Sequence, residues 1–271
     1  MRRWSGVLVW FFVGALPFAC DLQSGGRADG VDASPDVVDE GFVLRDASEA
    51  DAPLPPEAGP DGDAGPCTSL HGPPMVPVEG YCVDSTEVTQ QQYAEFVAAK
   101  IPLNGLPPVC NGKSSYADVT DAGPADLPVD YVDWCDAYAF CAWAGKRLCG
   151  DIAGGPVTSG ATSQWQSACS AKGTQTYCYG STWDSTKCNV AHDGGLGRTP
   201  VGSIKTCEGG YPGLFDMTGN VAEWADKCNG NNCLYYASDY TAKAVNGGCD
   251  SQVQVNGKSG YQGVGFRCCS K

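Results

Sequence analysis

Histidine is nearly absent from this chain, with only His71 and His192 among 271 residues. No two cysteines are separated by just two residues, the spacing that pairs of zinc ligands usually adopt. Together these gaps leave zinc little to bind. No segment beyond the first twenty residues is apolar enough to cross a bilayer, and no internal repeat runs through the chain. Basic residues are scarce, 17 against 31 acidic ones, for a formal net charge of −14. Nucleic acid is therefore not an expected partner. Large apolar residues are sparse in 21–66, which is almost wholly Asp, Ala, Gly, Pro, Val and Glu, with twelve acidic and two basic residues. Such a stretch cannot offset its chain entropy, so a disordered, self-repelling acidic tether is expected there.

What precedes the tether has the three parts of an export signal. Arg2 and Arg3 open it, an apolar run extends from Val7 to Phe18, and the small residue Ala19 precedes Cys20. The run is shorter than the roughly 20 residues that span a bilayer, so residues 1–20 read as a cleaved signal peptide. Leu16-Pro17-Phe18-Ala19-Cys20 resembles a bacterial lipoprotein box, in which the cysteine carries the lipid. The expectation is a lipid anchor at Cys20, a membrane partner through that anchor, and a place in the bacterial cell envelope, facing the periplasm or the cell surface.

From Cys67 to Lys271 the chain is long enough for one sizeable core and holds fifteen of the sixteen cysteines. Behind an export signal, that density reads as a disulfide framework in an oxidising compartment. Fifteen is odd, so one thiol is left over unless Cys20 pairs. Cys228 and Cys233 are close enough to pair locally, and the adjacent Cys268 and Cys269 are expected in two different bridges.

Three segments carry helix signals. Thr89-Gln90-Gln91-Gln92 is a capping box followed by Tyr93, Phe96 and Val97 at helical spacing. Asp133 can cap a helix from Trp134, with Gly145 as its stop. Thr162 or Ser163 can start a short helix through Trp165 and Cys169. Beyond Gly173, glycine, polar residues and aromatics predict short strands at most. The fold class expected is α+β, loop-rich and stabilised by disulfides.

Local motifs follow one another in a distinctive order: Glu87-Val88-Thr89, Val132-Asp133-Trp134, Ala142-Trp143-Ala144-Gly145-Lys146-Arg147-Leu148, Ser163-Gln164-Trp165, and Cys188-Asn189-Val190-Ala191. Then come Gly213-Leu214-Phe215-Asp216-Met217-Thr218-Gly219-Asn220-Val221-Ala222-Glu223-Trp224, Asn246-Gly247-Gly248 and Gly265-Phe266-Arg267-Cys268. From about residue 77 to 270 this series resembles the formylglycine-generating enzyme family, or sulfatase-modifying factor domains. The resemblance implies a variant of the C-type lectin fold.

It also implies where chemistry would sit. Oxidases of that family convert a sulfatase cysteine to formylglycine with copper held by two thiolates, shortly after an Arg-Gly-Gly-Ser segment. Here the segment reads Val245-Asn246-Gly247-Gly248-Cys249, and no cysteine follows until Cys268. Copper is therefore not expected by the known arrangement, since copper(I) wants two soft sulfur ligands close together. Calcium is the metal the resemblance favours, with Asp216, the carbonyls of Gly219 and Val221, and Glu223 as ligands. The alternative is that the two carboxylates cap backbone amides. A weaker second site maps onto Asn189, Val190 and Asp193. Cys141 and Cys268 match a bridge of some relatives, and Cys169 matches half of another whose partner is not identifiable. The leading expectation is a non-catalytic binding or structural module for a protein or glycan ligand. Tyr235, Tyr236, Tyr240 and Tyr261 could form its contact surface, with packing against the core as the alternative favoured for any one of them. The alternative is an oxidoreductase with a rearranged thiol pair that includes Cys249.

Overall fold

Helix α1 (Gln90–Ala98) starts where the capping box places it. The Thr89 hydroxyl accepts from the Gln92 N–H, and the Gln92 side chain accepts from the Thr89 N–H, so two otherwise orphaned amides are satisfied reciprocally. Helix α2 (Trp134–Trp143) repeats the device with Asp133 and Asp136. Gly145 follows it at φ 71°, a left-handed conformation that glycine adopts without a Cβ clash. Helix α3 (Gln164–Cys169) is capped by Ser163. These features come from a computed structural model describing residues 67–118, 123–191 and 197–270. Residues 1–66, where the signal peptide, the tether and the anchor at Cys20 are expected, lie outside the described residues.

The strands depart from expectation in two places. A hairpin, β1 (Met75–Val78) and β2 (Tyr81–Asp84), stands before the first helix, so the β structure is not confined to the later half. Its two-residue turn, Glu79-Gly80, has both φ values positive, at 36° and 95°. That geometry matches the right-handed twist of paired strands. Beyond Gly173, β4 (Ala222–Asn229) runs for eight residues, longer than the short strands predicted. It pairs antiparallel with β5 (Asn232–Tyr236), which pairs with β6 (Gln252–Asn256). Burial explains the length: Ala222, Glu223, Trp224 and Ala225 are all enclosed, so the backbone there must find partners in a ladder.

Two four-stranded sheets result. With β3 (Arg147–Leu148), β7 (Val264–Gly265) and β8 (Cys268–Ser270), the orders are β1-β2-β8-β3 and β6-β5-β4-β7. The last strand thus lies between two of the earliest, with Val83 opposite Cys269 and Leu148 opposite Cys268. One core cluster gathers Tyr93, Phe96, Phe140, Trp224 and Phe266 around α1 and α2. A second gathers Trp165, Leu214, Met217 and Tyr236 around α3.

Seven disulfides tie the described residues together. Cys141 is bridged to Cys268 and Cys149 to Cys269, so the two adjacent C-terminal cysteines serve different bridges. Cys228 pairs with Cys233 across the β4–β5 turn. The partner of Cys169 is Cys249, from a segment 80 residues away. Cys67–Cys82, Cys110–Cys135 and Cys188–Cys207 complete the set.

Candidate functional site

Cys249 follows the Asn246-Gly247-Gly248 segment and is buried. Its sulfur is bonded to Cys169 at the end of α3, and its N–H donates to the Thr176 carbonyl at 2.8 Å. The segment is therefore fastened to the protein through both backbone and side chain. An oxidoreductase using Cys249 as a free thiol is overturned here, because a sulfur in a disulfide is neither a nucleophile nor a thiolate ligand. Among the described residues Cys178 is the free cysteine, and it is buried. Burial is the main cause that pushes its thiol up to about 11.

Next to this segment the chain loops outward between Cys178 and Cys188. Residues 179–185 and Lys187 line a cleft of about 600 Å³, open to solvent. Its two aromatic residues are backed by buried Tyr177, which lies parallel to Tyr179 with centroids 5.7 Å apart and meets Trp183 edge-on at 5.2 Å. The Trp183 ring also packs under Gly247, where an added Cβ would come within 2.4 Å of it. Glycine is required there for space, which joins the cleft to the 246–249 segment. The loop is held by its own polar groups. The Asp184 N–H donates to the Tyr179 hydroxyl, and the Asp184 carboxylate accepts from the N–H and hydroxyl of Thr186, which lowers its pKa. With Ser181, Thr182, Ser185 and Lys187, the cleft offers aromatic surface, hydroxyls, one acid and one base. That set suits recognition of a polar ligand with a flat apolar face.

The tyrosines named from sequence are not this surface. Tyr236 is buried, stacked on Trp165 at 4.1 Å, with its hydroxyl donating to Ser163. Tyr235, Tyr240 and Tyr261 are half-buried, and Tyr235 and Tyr261 pack against Trp224. Packing, the alternative for each residue, is what Tyr236, Tyr235 and Tyr261 do. A signal for the cleft was present: Tyr177, Tyr179 and Trp183 interleaved with Gly, Ser and Thr between two cysteines.

The loop from Asp216 to Glu223 leads into the core. Asp216 and Asn220 sit at φ 60° and 58°, and Gly219 at 88° packs so tightly that a Cβ would fall 2.3 Å from the Asn189 carbonyl oxygen. Both carboxylates are buried. One Asp216 oxygen accepts from the Gly202 N–H at 2.6 Å. Both Glu223 oxygens are committed: Arg267 donates from Nε and Nη2, and Trp165 Nε1 donates at 2.6 Å. A cation at Glu223 would have to displace a guanidinium that cannot give up its proton. The Glu223 position does not fit calcium in this arrangement. Glu87 faces the same cluster, and its carboxylate is fully buried with no hydrogen-bond partner among the described residues. Burial chiefly, then the neighbouring Asp216, raises its pKa well above the usual range. A proton on Glu87 can relieve this excess of negative charge. At the second position, Asn189 donates to the Gly197 carbonyl and Asn220 Oδ1, and Val190 is buried. Asp193 lies outside the described residues.

Residues 41–270 match the family model described as sulfatase-modifying factor enzyme 1-like domain. The inactive C-alpha-formylglycine-generating enzyme 2 of Bos taurus is 28% identical over 172 residues, 54% of this chain and 50% of that protein. The formylglycine-generating enzyme of Mycobacterium tuberculosis is 29% identical over 208 residues, 55% of this chain and 64% of that one. The chain thus spans about half the length of the first of these relatives. The structure of PvdO from Pseudomonas aeruginosa superposes with a TM-score of 0.50 at 20% identity, covering 75% of this chain and 91% of that one, a likeness of fold.

Proposed function

The chain belongs to the sulfatase-modifying factor enzyme 1-like domain family, and on that premise we propose that it is a non-catalytic binding module rather than an oxidase. One observation carries this reading. The cysteine beside the Asn-Gly-Gly segment is locked to Cys169, and Cys178, the free cysteine among the described residues, is buried. Oxidation by a two-thiolate copper centre needs two free sulfurs within reach of one ion and of the substrate. The likeness to relatives named inactive enzymes supports the same reading.

The ligand is a protein or a glycan, taken up at the cleft lined by 179–185 and Lys187. Seven bridges suit an oxidising, extracytoplasmic setting. The leader at 1–20, the lipid anchor at Cys20 and the acidic tether at 21–66 would hold the domain off a membrane in the cell envelope. Calcium has no part in this reading, because the Glu223 carboxylate is held by Arg267.

A cysteine peptide bearing a sulfatase recognition sequence, incubated with the protein, copper(I) and oxygen, should yield no aldehyde above a protein-free blank. Aldehyde formed with turnover would overturn the non-catalytic reading and favour the oxidoreductase. For binding, a glycan array and an envelope-protein overlay probed with wild type should give signals that a Trp183→Ala variant of unchanged melting temperature loses. Signals retained by that variant would remove the cleft from the proposal.

A further inference from the structure

Sulfur is concentrated at one point behind the cleft. The thiol of Cys178 lies 3.9 Å from the sulfur of Cys188, which is bonded to Cys207. All three sulfurs fall within 4.8 Å of one another, and all three residues are buried. A thiol in van der Waals contact with a disulfide supplies both partners of thiol–disulfide exchange. Because all three sulfurs lie so close together the contact is side-on, and the Cys178 side chain must rotate to bring its sulfur in line with the Cys188–Cys207 bond. The leaving sulfur is also provided for: Cys207 Sγ sits 3.2 Å from the Thr218 carbonyl oxygen, which can accept from a newly formed thiol.

We propose that Cys178, Cys188 and Cys207 form an exchange site in which the bridge passes from Cys188–Cys207 to Cys178–Cys188. The step is balanced. Cys178 gives its proton to water admitted by a transient opening of the buried site, and its sulfur attacks Cys188. The Cys178–Cys188 bond forms as the Cys188–Cys207 bond breaks, and Cys207 leaves as a thiolate that takes a proton back. One disulfide and one thiol exist before and after, so no oxidant or reductant is consumed.

The exchange changes what the cleft is anchored to. In the present pairing Cys188 ties the end of the 179–187 loop to the short helical turn Lys205–Cys207. In the exchanged pairing the bridge joins the two residues that bracket the loop and closes it into a ring. The same ligand-facing residues are thereby held in two alternative covalent frames. The inference rests on the sulfur geometry and does not require that the cleft bind a particular ligand. The thiol's burial keeps it protonated at neutral pH, so the conversion is expected over the minutes to hours of uncatalysed rearrangement.

The full-length protein, held at pH 8 without reductant, can be quenched at intervals in denaturant with an alkylating reagent and mapped by non-reducing digestion. The expected result is label moving from Cys178 to Cys207 while a Cys178–Cys188 linked peptide appears. A Cys178→Ser variant should keep Cys188–Cys207 intact and leave Cys207 unlabelled. Label confined to Cys178 at every time would overturn the proposal. So would label on Cys207 in the Cys178→Ser variant, bridges to cysteines outside the three, or no label on any cysteine of the domain. The peptide-oxidation assay above reads a different property, so failure of one does not mimic failure of the other.

Discussion

Glu223 and Arg267 meet at 2.7 Å with both side chains shut off from water. Arg267 also donates to the carbonyls of Asp84 and Phe215, so one guanidinium joins β2, the 213–218 loop, β4 and the residue just before β8. Removing one partner of a buried pair strands the other charge. Arg267→Met should cost about 3–5 kcal/mol in urea denaturation, the size found when such pairs are broken. Adding Glu223→Leu should recover part of that loss, since the stranded carboxylate is gone. A single variant as stable as wild type would show that the pair is not what holds these elements together.

The buried acids next to that pair set a pH dependence. Burial raises Asp216 from 3.8 to about 6 and moves Glu87 in the same direction. An acid whose pKa is higher folded than unfolded holds its proton more tightly when folded. The favourable contribution of Asp216 is therefore complete below about pH 4 and is lost as pH rises through 6, and that of Glu87 likewise falls with rising pH. Glu87→Gln removes that loss at Glu87. It should be more stable than wild type at pH 8, with the advantage gone at pH 4. Melting curves at the two pH values decide it, and a variant less stable at both would contradict the assignment.

How much of this could be read from sequence depended on how local the cause was. The caps at Thr89 and Asp133 and the start at Ser163 were legible, because each is a side chain bonding an amide three residues away or nearer. The family fold was legible from the ordered motifs. The placing of β8 between β2 and β3 was not, since nothing in Cys82 or Val83 indicates a partner almost 190 residues later. The same holds for the Cys169–Cys249 bridge. Tyr236 stayed open between surface and core because an aromatic residue in a polar segment looks the same whether it faces solvent or Trp165. The Glu223–Arg267 pair was hidden because a carboxylate in a loop motif suggests a metal as readily as a guanidinium.

Space rather than backbone freedom governs one glycine. Gly209 has no need of a positive φ, but a Cβ there would fall 1.8 Å from the Cys178 carbonyl oxygen. At Gly230, φ is 58° and nothing lies within 4 Å. Gly230→Ala should cost only the left-handed strain, about 1–2 kcal/mol. Gly209→Ala must push apart the backbone that holds Cys178 and should cost at least about 2–3 kcal/mol. If Gly209→Ala proves the milder of the two in thermal unfolding, the close packing of residues 209 and 178 is wrong.

The twin bridges Cys141–Cys268 and Cys149–Cys269 should be far from additive. Each closes a long loop alone, 127 and 120 residues. They begin and end almost together, however, so with either in place the other closes an extra loop of only about nine residues. Loop-closure entropy then assigns about 2–3 kcal/mol to the second bridge. Replacing Cys149 and Cys269 by alanine should cost no more than that, and so should replacing Cys141 and Cys268. Removing all four releases the C-terminal strand from the start of the domain. The Cys169–Cys249 bridge still shortens the loop then freed, and the combined loss should be about 6–7 kcal/mol. Denaturant midpoints of the three variants measure the difference. A quadruple variant equal to the sum of the two doubles would mean that the bridges act independently, and that the closeness of Cys268 to Cys269 has no energetic consequence.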